Sequence, residues 1–479
     1  MNKKILALIF TGALVFNSCD EQLDINKDPD LLAPEAVPLN SQMPAGVTGV
    51  AASAGSYYAL IGGFWSQFWT QSAVANQYKQ IDDYSINSGD GMVNGSWSSM
   101  YDALTDIRSV KANAETAENW NYYLMATVME VYASQILVDF YGSIPYSQAN
   151  DPANLDPEFE SADVVYDLMA ANLNTALAKD LSTSSIDVIP GSDDFIFGGD
   201  MTKWTQFANT LLLKVYLRQS EVRPSVAEAG AKTLLAKNNF LMESAAITQF
   251  IDEANRSNPL YETDRRQLNV GTNLRASTTL GSFLDQNADP RLAKFYDGTT
   301  FQDQGDFDQG SGSASVVILS ATDPVYFISA AESYFLQAEA DLRYNGGSNA
   351  QTLYEEGVKA AFAQWELDAT DLLAGAYAYP AGTEDENIEA VITQKWISFF
   401  PGNGYEGFIE HNRTNYPMET TTAQSDPTYI PGQFAYSVEG TTGGAFPRRL
   451  EYSQQERQRN SNAPTTLLPV TEKVWYDAN

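Results

Sequence analysis

The sequence contains a single cysteine and a single histidine, and this scarcity excludes several kinds of site. Cys19 has no second cysteine with which to form an intrachain disulfide. A zinc site built from several histidine and cysteine ligands is also excluded, and any nucleophilic triad would have to use His411. The motifs Gly-x-Ser-x-Gly and Gly-x-x-x-x-Gly-Lys are absent. A carboxylate-pair glycoside hydrolase is left open, because it needs only two acids about 5–10 Å apart.

Basic residues are also scarce. The chain has 28 Lys and Arg against 61 Asp and Glu, a formal net charge of −33. This excess argues against nucleic acid and anionic membrane surfaces as partners of the folded body. After the N-terminal segment, no stretch reaches the roughly 18 apolar residues that a membrane-spanning helix needs. We therefore expect a soluble body.

The N-terminus has the pattern of a secretory signal over residues 1–18, with Lys3 and Lys4 before the apolar run 5–16. Cys19 follows directly, and this arrangement resembles a bacterial lipobox. The resemblance implies cleavage before Cys19 and its acylation, so that the protein meets the membrane only through a lipid anchor. The alternative is an ordinary signal peptide with a free thiol. Residues 19–45 are aperiodic and contain four prolines, which predicts a tether.

One helix is strongly indicated near the middle of the N-terminal half. Trp120, Leu124, Val128 and Val131 recur at spacings of three and four residues. Gly142 can adopt a positive φ and end the helix, and Pro145 cannot continue it.

Further apolar stripes predict helices in consecutive pairs, as in tetratricopeptide repeats. Residues 46–72 are predicted to form a helix that is largely buried or has one face in contact with a ligand, and Trp65 and Trp69 are one turn apart on it. Residues 240–325 are predicted to be a loop-rich insertion, with 315–319 as its clearest strand. The expected fold is a mainly α single domain over 46–479 with minor β-hairpins.

Seven segments, in order along the chain, resemble those of the SusD/RagB family, the nutrient-capturing surface lipoproteins of Bacteroidetes. The segments are 23–29, 139–149 (DFYGSIPYSQA), 287–292, 326–340, 392–417, 447–460 and 473–477. The resemblance implies a protein without enzymatic activity that caps a SusC-like TonB-dependent outer-membrane transporter. It implies an oligosaccharide ligand, with a peptide ligand as the alternative.

The resemblance also implies that the ligand-binding surface lies around the loop before the first helix pair and the mid-chain insertion. Aromatic rings stack on the apolar face of a sugar, while amide side chains hydrogen-bond its hydroxyl groups. The candidate ligand-binding residues are Trp65, Trp69, Tyr78, Tyr84, Asn87, Tyr261 and Phe301. The other tryptophans of helical stripes, Trp97, Trp120, Trp204, Trp365 and Trp396, are predicted to be core.

No cofactor is predicted. Asp303, Asp306 and Asp308 crowd three carboxylates into a glycine-containing loop, and Ca²⁺ prefers such oxygen ligands. Their spacing does not match an EF-hand loop, so a solvated acidic turn is the favoured interpretation.

Overall fold

The computed structural model describes residues 37–308 and 312–479. The signal segment, Cys19 and most of the tether lie outside these residues. Leu39–Asn479 forms one compact unit. Within the described ranges, no helix has both the length and the apolar character needed to cross a bilayer.

Helices are the main regular structure of this unit. The helices are α1 Leu39–Ser53, α2 Ala59–Trp65, α3 Lys79–Asp82, α4 Gly91–Thr116, α5 Trp120–Tyr141, α6 Ala162–Leu177, α7 Met201–Leu217, α8 Pro224–Lys237, α9 Pro259–Tyr261, α10 Thr278–Gln286, α11 Leu292–Phe295, α12 Ala330–Tyr344, α13 Ala350–Ala363, α14 Thr370–Leu373, α15 Glu384–Ser398, α16 Gly404–Thr414 and α17 Gln454–Arg459. The strands are β1 Trp69–Gln71, β2 Ala245–Ile247, β3 Leu274–Ala276, β4 Val325–Ile328, β5 Glu419–Thr420 and β6 Phe434–Ala435.

Helix α5 is the central element, and the predicted helix that begins at Trp120 and stops before Gly142 is confirmed. Nearly all of its residues are buried, because it packs against α4, α6 and α7. The side chain of Asn119 accepts a hydrogen bond from the Tyr122 amide at its start. Gly142 ends it with φ +81°, a conformation that favours glycine.

The predicted helix pairs are present. Helix α4 packs between α1 and α5, α6 packs against α5 and α7, and α12 packs against α13. Apolar side chains of these pairs form one large core, and a smaller cluster lies between α12, α13 and α15. The mainly α, tetratricopeptide-like class is therefore confirmed.

The predicted single helix over 46–72 is wrong at both ends. Helix α1 begins at Leu39, within the segment assigned to the tether, because Leu39, Met43, Val47 and Val50 form an apolar stripe that continues through Pro44. At the other end α2 stops at Trp65, Gln67 has φ +53°, and β1 follows.

The β structure is minor, as predicted, but it is not made of hairpins. Strand β1 pairs with β3 in antiparallel register, with Trp69 opposite Ala276. Strand β2 pairs with β4, and β5 pairs with β6 in parallel. Residues Val316 and Val317 of the predicted strand make isolated bridges to Arg275 and Tyr296. No pair is connected by a short turn, so local turn signals could not reveal it.

Nine charged side chains, here called the buried ion network, lie between α5, α7, α12, α15 and α16. They are Asp139, Lys214, Arg218, Glu332, Glu339, Lys395, Glu406, Glu410 and Arg413, each at most 4 % exposed. Seven of the nine lie in segments 139–149, 326–340 and 392–417. Much of the family-like motif pattern therefore belongs to the interior of the fold.

Arginines are the branching points of this network. Arg218 pairs with Glu410, and also with Asp139 at 3.1 Å and Glu406 at 2.7 Å. Arg413 pairs with Glu339 and Glu410, both at 2.6 Å. Burial alone would raise the pKa of Glu410, but Arg413, Lys395 and Arg218 together hold that pKa well below its ordinary value.

Candidate functional site

Four of the predicted ligand-binding rings are buried. Trp65, Trp69, Tyr78 and Tyr84 are each at most 3 % exposed. The Trp65 indole donates to the Ile81 carbonyl at 3.2 Å, and Trp69 packs at Gly63. These rings present no face to solvent, which contradicts the prediction that they form a binding platform. Tyr78 and Tyr84 lie in a polar loop, whose composition predicts exposure, but their rings turn inward.

The other three candidates are more accessible, but the structure does not bring them together in one cavity. Asn87 is exposed. Tyr261 is half-buried beneath the Arg266 guanidinium, which lies 5.5 Å from the ring centroid. Phe301 is half-buried against Gly281. These three stay predictions.

A buried carboxylate lies beside the inward-turned rings. Asp82 is fully buried and accepts hydrogen bonds from the Thr70 hydroxyl, the Gln71 amide and the Gln304 side chain. Burial raises the pKa of Asp82 to about 7, although all three donors favour the charged form.

This raised pKa predicts a pH dependence of stability that Asp82→Asn should reduce. Between about pH 4 and 7 the folded chain keeps the Asp82 proton and the unfolded chain loses it. The group's stabilising contribution is therefore present below pH 4 and is lost as the pH rises through 7. Relative to Asp82→Asn, we expect the natural protein to lose about 1.4 kcal/mol of unfolding free energy per pH unit between pH 5 and 7.

Denaturant unfolding at several pH values between 5 and 8 measures this difference. Asp187→Asn, at an exposed carboxylate, is the control. Parallel pH profiles for Asp82→Asn and the natural protein would contradict the prediction.

The candidate calcium ligands are not clustered in the described part of the chain. In the described ranges, no three His, Cys, Asp or Glu side chains are grouped so that they could hold a metal ion. The Asp303 carboxylate accepts from the Thr278 hydroxyl at 2.8 Å, and Asp308 pairs with Lys79 at 2.9 Å. Neighbouring side chains therefore take up these two carboxylates.

A half-open cavity of about 410 Å³, here called the Trp97 pocket, lies between α4, the loop 145–157 and α17. Its lining combines aromatic rings, prolines, amides and charged groups: Trp97, Tyr101, Pro145, Pro152, Pro157, Asn150, Asn154, Leu155, Gln455, Asn460, Asp102, Asp151, Glu456 and Arg459, with Ser98, Ala149 and Ser453. Its volume falls within the range of about 300–1,000 Å³ that is usual for small-molecule sites.

Hydrogen bonds hold the walls of the Trp97 pocket in place. The Asn150 side chain donates to the Tyr101 carbonyl at 3.0 Å and to Thr105 at 2.7 Å. Glu456 accepts from the Trp97 indole at 3.4 Å and from the Asn460 amide at 2.9 Å. The pocket is therefore largely preformed.

A second cavity of about 570 Å³, here called the Tyr57 groove, lies on the other side of α4. Its floor consists of small residues of α1 and α4, and its far wall is formed by Pro259, Glu262 and their neighbours from the mid-chain insertion. Tyr57 is the aromatic residue of this lining and packs against Gly95. Asp102 lines both cavities.

The sequence interpretation missed these two cavities. The sequence predicts Trp97 to be a core residue, and only 4 % of it is exposed. One signal was available: Ser98, Ser99, Asp102 and Asp106 form an exposed polar stripe on α4 beside the Trp97 stripe. The opposing walls come from segments that are remote in the sequence.

Residues 48–437 match the family model SusD-like_2, described as "Starch-binding associating with outer membrane". Curated protein sequences gave no significant match.

Solved structures share the fold. A chitin-binding protein has a TM-score of 0.75 at 23 % identity, covering 92 % of this chain and all of that chain. A SusD homologue from Bacteroides uniformis has a TM-score of 0.74 at 22 % identity, covering 92 % and 99 %. A chitin-binding SusD homologue from Flavobacterium johnsoniae has a TM-score of 0.73 at 23 % identity, covering 91 % and 99 %. The family model spans most of the sequence, so the chain belongs to the SusD-like family, which is described as starch-binding and associated with the outer membrane.

Proposed function

We propose that this protein is a cell-surface lipoprotein, anchored through Cys19, that binds an oligosaccharide and delivers it to a partner SusC-like TonB-dependent outer-membrane transporter. Membership of the SusD-like family supports the location and the ligand class. The chitin-binding function stated for two proteins of the same fold supports a glycan ligand in general, without indicating which one.

The Trp97 pocket is the observation that carries this proposal. A sugar needs an apolar surface for its C–H face and hydrogen-bonding groups for its hydroxyls. Tyr101 and three prolines supply the apolar surface, while Asn154, Gln455 and Arg459 supply polar groups at the rim. We infer that the oligosaccharide binds there.

Capture without catalysis is part of the proposal. His411, the only histidine, is buried, with its ring nitrogens 2.8 Å from the Pro417 carbonyl and 3.0 Å from Glu419. With both nitrogens occupied and no access to solvent, His411 is a structural residue and an unsuitable general base. A slow cleavage of a bound glycan would instead support the carboxylate-pair hydrolase.

Arg459→Ala is expected to weaken oligosaccharide binding about tenfold, because interface arginines commonly contribute more than about 1 kcal/mol. Arg459 is exposed, so the substitution should leave the fold unchanged. Tyr101→Ala should weaken binding further by removing the apolar wall. A glycan array, followed by calorimetry on the full chain in detergent, measures both effects.

Lys359→Ala is the matched control, since this exposed cation lies on α13, away from the pocket. Unchanged glycan affinity in both pocket variants would place the ligand elsewhere. Selective binding of peptides by the natural protein would favour the peptide-capturing alternative.

A further inference from the structure

The two cavities beside α4 are adjacent. The Trp97 pocket takes Trp97, Ser98 and Tyr101 from one side of this helix, and the Tyr57 groove takes Gly95, Ser99 and Ala103 from the other. Asp102 lies on the exposed ridge between them and contributes to both linings. A ligand longer than one cavity can therefore pass from one to the other over a single turn of helix.

The two linings carry a strong excess of negative charge. They contain five carboxylates, Asp102, Asp106, Asp151, Glu262 and Glu456, and one guanidinium, that of Arg459. Glu262 is neutralised by Arg266, whose Nε lies 3.1 Å from its carboxylate. The remaining excess of carboxylates makes the electrostatic potential that a ligand meets in these cavities negative.

Asp102 and Asp106 are the centre of this negative region. They are one helical turn apart and exposed, and no described residue forms an ion pair or hydrogen bond with either carboxylate. Partial burial and the charge of Asp102 both raise the pKa of Asp106. No cation therefore forms an ion pair with Asp102 or Asp106 in the described part of the chain.

We propose that the Trp97 pocket and the Tyr57 groove form one binding track, for an extended oligosaccharide of uncharged or amino-bearing sugars that crosses α4 at Asp102. Uronate and sulfated chains would bring anionic groups against Asp102 and Asp106. This specificity rests on the proposed function, since it concerns the same glycan site.

The charge preference is tested with β-1,4-linked hexamers of glucose, glucosamine and glucuronate, which share one backbone and differ in charge. Calorimetry on the full chain in detergent should give affinities in the order glucosamine, glucose, glucuronate, with at least about a tenfold difference between the first and the last. Asp106→Asn should reduce this difference severalfold, mainly by raising the affinity for the glucuronate hexamer. Equal affinities for the three hexamers would overturn the charge preference.

The continuity of the track is tested by ligand length, in both the β-1,4 and the α-1,4 glucose series. We expect hexamers to bind at least about tenfold more tightly than dimers. Tyr57→Ala should abolish most of this gain. Ser99→Arg, at an exposed position of the groove, should also abolish most of the gain in hexamer affinity. This variant replaces Tyr57→Ala as the test if that substitution disturbs folding.

The outcomes separate the two proposals. If hexamers and dimers bind equally in the natural protein, the single track is wrong but glycan capture stands. If no oligosaccharide of any series binds, the proposed function itself fails.

Discussion

Arg413→Met is expected to destabilise the protein by about 3–5 kcal/mol, the usual effect of breaking a buried ion pair by removing one partner. The Arg413 guanidinium contacts Glu339 and Glu410 at 2.6 Å and donates to the Ser220 hydroxyl at 2.9 Å. Its removal leaves two buried carboxylates with too little positive charge around them. Methionine fills similar volume, so the loss reports mainly on charge.

The remaining cations limit the effect without cancelling it. Glu339 keeps Arg343, whose Nε lies 2.8 Å away, and Glu410 keeps Arg218 and Lys395. Burial opposes ionisation of Glu339, while Arg413 and Arg343 lower its pKa below the ordinary value. Without Arg413 this pKa should rise, so the stability deficit of the variant should be smaller at acidic pH.

Denaturant unfolding of the full chain measures the change. The control is Arg223→Met, because Arg223 pairs with Asp167 at the surface, where the side chains are 27 % and 58 % exposed. Such an exposed pair is expected to contribute less than about 1 kcal/mol.

A double variant separates charge from packing. Adding Glu339→Leu to Arg413→Met removes one stranded carboxylate and should recover at least about 1 kcal/mol, since the two residues interact directly. Equal losses in Arg413→Met and Arg223→Met would mean that the network contributes little to stability.

Gly62→Ala is the second substitution with a large expected effect. A Cβ atom at Gly62 would lie 2.1 Å from the Tyr405 backbone nitrogen and 2.4 Å from its Cα. Helices α2 and α16 approach backbone to backbone here, since a Cβ at Gly404 would lie 2.5 Å from the Gly63 nitrogen. Backbone atoms cannot rotate away as a side chain can, so the two helices must separate.

We expect a loss of about 3 kcal/mol or more, at the upper end of overpacking costs. The gain in helix propensity from alanine, about 1 kcal/mol, offsets only part of it. Gly402→Ala is the matched control, because a Cβ there meets no atom within 4 Å. Unfolding midpoints of the two variants should therefore differ widely, and similar midpoints would contradict the close approach.

The helical framework and the family could be predicted from the sequence. The bounds of α5 and its end at Gly142 follow from spacing and from glycine's tolerance of positive φ. The ordered motifs were sufficient for the family. Both kinds of signal are contained within short contiguous segments, so neither needs knowledge of distant contacts.

The tertiary structure decided which side chains a ligand can reach. Tyr84 lies in a polar loop, yet its ring is buried against Tyr436, 5.6 Å away between centroids and far away in sequence. Arg413 and Glu339 belong to sequence motifs, and only the tertiary fold brings them together as an internal ion pair. The Trp97 pocket likewise needs α4, the loop 145–157 and α17 together.

The sequence by itself therefore determined the fold class, the helix periodicity and the family. Only the tertiary structure decided the burial of the expected rings, the charge pairing of the interior and the cavities beside α4. The physical reason is that periodicity and chain breaks act between near neighbours, whereas exposure depends on which remote segments cover a residue.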